Sequence, residues 1–226
     1  MLSLCRRVLL IAPHADDELL GAGGTLLRLK ELGAQIRLIL VACSSVKLRR
    51  LGEVSTGTRH REFEESAREL STGPSMVYGF DDTRLDSCPL VELTTRLDDE
   101  IDDFKPDTIL LPEPSYHQDH QHVHRACVAA LRPNAHDPIA RVLAYEVPTS
   151  TWSGLEDRFI PSVYVDISTT LEAKISIFQR CYRSQYTAEE RRHLAEIGVR
   201  HHAAYRGIEA GLVAAEAFAL LREIVK

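Results

Sequence analysis

The sequence predicts an α/β fold: a Rossmann-like, doubly wound and mostly parallel sheet with a helical C-terminal region, formed as a single domain over residues 1–226. Three observations predict it. Short apolar, β-branched runs alternate with amphipathic stretches of helical period along the chain. The first strand, helix and second strand fit within residues 7–42, the size of a βαβ unit, which implies parallel pairing and a right-handed crossover. The length of 226 residues suits one α/β core.

Residues 7–12 read as the first strand, followed by a polar loop and a helix over residues 25–32. Gly33 is a suitable helix stop. Residues 35–42 are the second strand, 43–57 a polar and basic loop, and 58–71 a helix with Phe63, Ala67 and Leu70 on one face. Residues 75–80 are the third strand, and Asp81-Asp82-Thr83 opens a loop at its carboxyl end. An acidic amphipathic helix over 90–104 and a turn at Lys105-Pro106-Asp107 lead to a fourth strand at 108–111. A His-rich segment then enters a helix to about Leu131. Residues 141–147 and 162–165 are further strand candidates, with Trp152 in the loop between them. From Ser168 onward the pattern reads as helices at 169–182, 188–199 and 207–225.

Composition narrows the classes of function. A hydrophobic fraction of 44% with 27% charged residues is that of an ordinary globular chain. The net charge of −6 argues against nucleic acid as a partner, and the small basic group Lys47, Arg49 and Arg50 reads as a solvated loop. No apolar run approaches the ~20 residues that span a bilayer, and the N-terminus runs straight into a strand. No membrane partner, no signal peptide and a cytoplasmic location are therefore expected. Cys5, Cys43, Cys88, Cys127 and Cys181 are odd in number and lack a C-x-x-C pair, which favours reduced thiols over disulfides or a thiolate metal site. A homo-oligomer is left open.

Two motifs carry the chemistry. His14-Ala15-Asp16-Asp17-Glu18 follows the first strand, and His117-Gln118-Asp119-His120-Gln121-His122-Val123-His124 follows the fourth. Ligands of doubly wound sheets sit beyond the carboxyl ends of strands, where both motifs fall. Carboxylates crowded there repel one another unless a cation neutralises them. A hydrolytic zinc site uses three protein ligands, an open position and a base not committed to the metal. His14, one of Asp16 and Asp17, and one downstream histidine supply the ligands, and the other aspartate supplies the base. In a helix from Asp119, His117, His120 and His124 share a face, so spacing does not choose between His120 and His124, while His122 points to the surface. The competing reading makes Asp16 or Asp17 a helix N-cap. His60, His136, His193, His201 and His202 stand outside any motif and read as structural or solvated. Gly21-Ala22-Gly23-Gly24 does not match the dinucleotide fingerprint, because acids precede it and would repel a pyrophosphate. Those glycines are read as letting the helix start pack closely under the metal loop.

The paired motifs resemble those of the LmbE-like, PIG-L family of zinc-dependent N-deacetylases, whose signatures are H-P-D-D-E and H-x-D-H. Arg59-x-x-Glu62, Gly79-Phe80-Asp81-Asp82, Asp166-Ile167-Ser168, Lys174, Ser184-Gln185 and Ala215-Glu216-Ala217-Phe218 resemble further features of that family. Two departures stand out: Ala15 replaces the commoner proline, and Cys43-Ser44-Ser45 replaces a T-x-G-like turn, which bears on substrate identity.

The resemblance implies an amide hydrolase with one Zn2+ per chain, or another divalent ion in its place. It implies His14, Asp17 and His120 as ligands and Asp16 as general base. His117 would be the general acid or, when protonated, the oxyanion stabiliser. Asp119 would orient an imidazole, and Arg59 would contact substrate. The implied substrate is a small N-acetylated amino sugar or conjugate of N-acetylglucosamine type. Polar residues at the same sheet edge (Arg59, Asp81, Asp82, Glu113 and Tyr116) suit sugar hydroxyls, with Asp82 and Tyr116 joining Arg59 as substrate-binding candidates. The aromatic content of 6% speaks against a greasy acyl pocket. The alternatives are an amidase for a larger acyl group and a non-catalytic Rossmann-like binding protein; the intact Asp16 argues against the second.

Overall fold

The structure is a computed structural model that describes residues 5–48, 52–148, 159–184 and 196–225. Arg49, Arg50, Trp152, Gln185, His193 and most of the helix expected over 188–199 lie outside the described residues. The elements run β1 (Arg7–Ala12), α1 (Asp17–Glu31), β2 (Gln35–Ala42), β3 (Val46–Leu48), β4 (Gly52–Val54) and α2 (Thr56–Leu70). They continue β5 (Met76–Phe80), α3 (Leu90–Phe104), β6 (Thr108–Pro112), α4 (Gln118–Ala130), β7 (Arg141–Tyr145) and β8 (Val163–Asp166). The last are α5 (Leu171–Cys181), α6 (Glu196–Ala210) and β9 (Ala215–Glu223).

Seven strands form one sheet in the order β5-β2-β1-β6-β7-β9-β8. Pairings from β5 through β7 are parallel, and β9 runs antiparallel to both β7 and β8. From β1 the chain winds outward through β2 to β5, then returns to the other side of β1 for β6. The switch in winding direction therefore lies between β1 and β6, and it opens the crevice in which such sheets bind ligands. Both sequence motifs leave the sheet at that crevice.

Strand alternation divides the core. Val8, Leu10 and Ala12 face the layer that includes Leu19, Leu26, Phe63, Ile175 and Ala203, from α1, α2, α5 and α6. Leu9 and Ile11 face the opposite layer, with Leu93, Leu97, Val123 and Ala126 from α3 and α4. A strand covered on both faces needs apolar residues at every position, which is why β1 reads as an unbroken apolar run. Gly33, at φ 81°, ends α1 as expected.

The structure revises three expectations. First, α1 begins at Asp17, so Gly21, Gly23 and Gly24 lie inside the helix. A Cβ at Gly21 would sit 2.2 Å from Tyr145 Cδ2, and one at Gly24 would sit 2.8 Å from Ile167 Cγ2. The glycines thus allow β7 and the turn between β8 and α5 to press on the helix. Into the same region Glu216 of β9 sends its carboxylate, which accepts from the Gly24 N–H (2.9 Å) and the Thr25 N–H (2.7 Å). Lys174 of α5 donates to Glu216 (2.6 Å) and to the Leu20 carbonyl (2.7 Å). Second, the loop expected over 43–57 contains an antiparallel pair, β3 with β4, and α2 starts at Thr56 with Ser55 Oγ accepting from the Thr58 N–H (3.2 Å).

Third, the helix expected over 207–225 is the last turn of α6 followed by β9. The sequence Ala-Glu-Ala-Phe-Ala-Leu-Leu-Arg-Glu favours helix by local preference. Insertion between β7 and β8 supplies ladder partners on both sides and overrides it. Helix α6 is held to the residue that follows β7: Arg206 forks onto Glu146, and His202 Nε2 lies 3.0 Å from Glu146 Oε1. Burial, helped by the Lys174 and Arg206 charges, brings the His202 pKa down to about 4. Among the described residues no helix is long and apolar enough to cross a membrane.

Replacing Glu216 with Ala leaves the Lys174 ammonium buried without its partner, and urea denaturation should show a loss of roughly 3–5 kcal/mol. A second outcome concerns pH. Unfolded histidine titrates near 6.5, whereas folded His202 does so at about 4. The unfolded chain therefore binds the extra proton between those values, and its contribution to stability, complete above pH 6.5, is lost as pH falls toward 4. Unfolding of His202→Gln, followed at pH 7.5 and pH 5, should show a shallower loss than the parent chain.

Candidate metal centre and active site

The crevice between β1 and β6 is lined from both sides. After β1 the chain turns at Pro13, whose carbonyl accepts from the Ala42 N–H at 2.9 Å, and delivers His14. Asp16 then takes φ 114° and ψ −26° as the N-cap residue of α1, yet its side chain makes no capping hydrogen bond. A left-handed backbone at a residue with a Cβ costs about 1–3 kcal/mol. The competing N-cap reading of the Asp-Asp pair is thus met in position but not in bonding. The Asp16 N–H donates to Glu18 Oε2 (3.2 Å), and the Asp16 carbonyl accepts from the Leu20 N–H (2.9 Å). Asp17, in the first turn, turns back to accept from the His14 N–H at 2.9 Å.

From the other side, α4 begins at Gln118 with His117 as its cap. The Asp119 N–H donates to His117 Nδ1 at 3.2 Å. His120 follows within the first turn, and its Nε2 lies 3.2 Å from Asp17 Oδ2. His14 sits between the two motifs, with Nδ1 3.3 Å from Asp17 Oδ2 and Nε2 2.9 Å from Asp119 Oδ2. The ring centroids of His14, His117 and His120 are 4.7–5.4 Å apart. Ligand atoms of His14, Asp17 and His120 all lie within 4.8 Å of one another, and the same holds for His14, His117 and Asp119.

Charge in this cluster follows its partners. Burial disfavours a charged His14, but hydrogen bonds to Asp119 and Asp17 overcome it and raise its pKa to about 10. Asp17 is held far below the usual carboxylate range: burial opposes ionisation, and the charge and hydrogen bond of His120 with those of His14 outweigh it. Asp119 is lowered in the same way by His14 and by the N–H groups of Leu85 (3.1 Å) and Thr83 (2.6 Å). The imidazole that Asp119 contacts is that of His14. With Nδ1 accepting a peptide N–H, a neutral His117 ring carries its proton on Nε2. Burial and the neighbouring His14 and His120 lower its pKa further.

The donor set fits a divalent ion. Two imidazoles and one carboxylate, His14, His120 and Asp17, are a hydrolytic zinc complement. The Asp119 carboxylate on the far nitrogen of His14 stands where it would support that imidazole on a metal.

Residues around this centre sort by contact. Arg59 is 3% exposed and pairs with Asp82, so the two substrate-binding candidates neutralise one another. The Asp82 N–H also donates to Ser44 Oγ (2.9 Å). Tyr116 is 51% exposed and stands at the rim, and Asp81 is exposed. The Glu113 N–H donates to the Tyr145 carbonyl at 2.8 Å. Cys43 is buried beside the Arg59 and Asp82 charges. His124 binds the Pro112 carbonyl through Nδ1 (2.9 Å) and is absent from both donor groups. His122 is half-buried rather than a surface residue. Sequence reasoning missed Glu18, a wholly buried carboxylate bonded by Ser66 and Tyr182. Its place in the Asp-Asp-Glu run was the one available signal.

Comparison with known proteins agrees with the geometry. Residues 9–131 match the PIG-L family, described as GlcNAc-PI de-N-acetylase. The chain is 30% identical over 197 residues to the diacetylchitobiose deacetylase of Thermococcus kodakarensis, covering 80% of this chain and 70% of that protein. It is 28% identical over 166 residues to the uncharacterized deacetylase YaiS of Escherichia coli, covering 71% of this chain and 81% of that one. The N,N′-diacetylchitobiose deacetylase of Pyrococcus horikoshii superposes with a TM-score of 0.78 at 22% identity, over 96% of this chain and 84% of that one, which shows a shared fold.

The ligand choice has a direct test. His120→Ala should lose most bound metal, because two ligands make a poor zinc site. His124→Ala should keep it, since that ring belongs to the Pro112 carbonyl. Metal content of both variants by elemental analysis, after identical loading, checks this; the reverse pattern would exclude the assignment.

Proposed function

This chain belongs to the PIG-L family of de-N-acetylases, and from that premise we propose that it removes the acetyl group from an N-acetylglucosamine-type sugar or conjugate by metal-dependent hydrolysis. The observation that carries the reading is the convergence of His14, Asp17 and His120 within 4.8 Å at the winding switch, with Asp16 and His117 beside them.

His14, Asp17 and His120 would hold one Zn2+ per chain. Bound there, such an ion supplies Lewis-acid polarisation of the amide carbonyl and makes a water more acidic. The chain's own residues do the rest. Asp16 accepts a proton from the attacking water on a carboxylate oxygen as the carbon–oxygen bond forms. His117, whose Nδ1 accepts the Asp119 N–H, has Nε2–H left to donate to the oxygen that becomes negative in the tetrahedral state. A neutral imidazole is a weak acid. The proton that the amine nitrogen needs as the carbon–nitrogen bond breaks therefore comes from Asp16. Asp119, fixed by the Thr83 and Leu85 N–H groups, keeps His14 oriented throughout. The products are acetate and the free amine.

The relatives named as deacetylases of diacetylchitobiose support a sugar substrate, as does the polar rim. Arg59 and Asp82 are paired at the crevice and Tyr116 is exposed above it. Buried polar groups that expect sugar hydroxyls also penalise substrates lacking them.

Asp16→Asn should keep fold and metal while kcat falls by about 10²–10⁴; turnover close to that of the parent would overturn the base assignment. His117→Ala should lower kcat by roughly 10²–10³ at unchanged metal content. The substrate class is tested by acetate release from N-acetylglucosamine, its glycosides, N,N′-diacetylchitobiose and N-acetylated amino acids. Turnover confined to the amino acids would remove the sugar assignment and leave the hydrolase.

A further inference from the structure

We propose that Glu18 is a positioning residue for Asp16: it holds the backbone of the base in its left-handed conformation, and the hydroxyls of Ser66 and Tyr182 hold Glu18. The inference rests on Asp16 being the general base.

Glu18 is 0% exposed. Its Oε2 accepts from the Asp16 N–H (3.2 Å), and its Oε1 accepts from Ser66 Oγ (2.6 Å) and from the Tyr182 hydroxyl. Among the described residues no cation forms an ion pair with it. A buried carboxylate held only by neutral donors is unfavourable for stability alone, and an apolar residue of similar size would suit that place better. Its location explains its presence. Ser66 comes from α2 and Tyr182 directly follows α5, so helices α1, α2 and α5 converge on this carboxylate. What it fixes is the residue two places back, which carries φ 114°.

In a capping box an acidic side chain in the first helical turn reaches back to the N–H of the cap residue. Glu18 does this one position earlier than usual, for a cap residue whose own side chain makes no capping bond. The peptide plane before Asp16 is thereby fixed, and with it the direction in which the Asp16 side chain leaves the backbone. Orientation of a catalytic group is a large part of its effect on rate, so a loosened Asp16 lowers kcat without weakening substrate binding.

The test is a double-mutant cycle on the metal-loaded protein with N,N′-diacetylchitobiose, supplemented by amide hydrogen exchange at Asp16. Glu18→Ala should lower kcat by about 10–100-fold with KM and metal content unchanged, and should speed exchange of the Asp16 N–H relative to the amides of β1. Glu18→Gln should recover most of the loss, because its carbonyl oxygen still accepts the Asp16 N–H and its amide nitrogen donates to the two hydroxyl oxygens. In an Asp16→Asn background, Glu18→Ala should lower kcat no further. Tyr182→Phe, which leaves the carboxylate and Ser66 in place, should give a smaller loss with the same non-additivity and serves if Glu18→Ala does not fold. Equal losses in both backgrounds, a Gln variant as impaired as the Ala variant, or an Asp16 amide of unchanged exchange would overturn the inference while leaving the base assignment intact. Near-parental turnover of Asp16→Asn alone would instead remove the base assignment.

Discussion

Glu216 reaches from β9 to the peptide N–H groups of Gly24 and Thr25 and takes the Lys174 ammonium on the same carboxylate. Three elements that are distant in sequence, α1, α5 and β9, are joined at one buried point. The glycines of α1 make the approach sterically open, since a Cβ at Gly21 or Gly24 would overlap Tyr145 or Ile167. A buried ion pair adds little net stability compared with an apolar filling. Its effect is to tie α1 in one placement, with the Gly24 and Thr25 N–H groups and the Lys174 ammonium gathered on one carboxylate. Because Asp17 opens that helix and Asp16 caps it, the placement of α1 is also the placement of the site.

At the site the same principle operates on a smaller scale. Asp17, Asp82 and Asp119 all surround His14, at 3.3, 3.9 and 2.9 Å. They are made different by what else each one touches. Asp82 is committed to Arg59, Asp119 to two peptide N–H groups, and Asp17 to His120. Identical carboxylates acquire separate surroundings from their second contacts: a guanidinium for Asp82, two peptide N–H groups for Asp119, and a second imidazole for Asp17. His117 follows the same logic, as one peptide N–H decides which ring nitrogen carries the proton.

Much of this was legible in the sequence because it is local. β-branched apolar runs marked β1, β2 and β6, a glycine marked the end of α1, and the His and Asp clusters directly followed two of those strands. Parallel βαβ winding then brings the ends of β1 and β6 side by side, so the meeting of His14 and Asp17 with His120 follows from chain order and handedness. The positions of Arg59 and Asp82 at the same edge follow likewise.

Other features were decided only by partners far along the chain. Residues 215–223 carry helix-favouring alanine, leucine and glutamate, and became β9 because β7 and β8 left a gap with open backbone groups on both sides. His120 and His124 are equivalent by spacing, and the Pro112 carbonyl separated them. The glycines of α1 looked like a loop until β7 and the turn between β8 and α5 supplied the neighbours that require them. Glu18 could be read as an acid in a motif, but not as the anchor of Asp16, since Ser66 and Tyr182 lie 48 and 164 residues away. Sequence by itself determined periodicity, strand ends and the types of group gathered there, because these depend on neighbours within a few residues. Tertiary structure decided which hydrogen-bond partner each buried polar group found, because that depends on elements that only packing brings together.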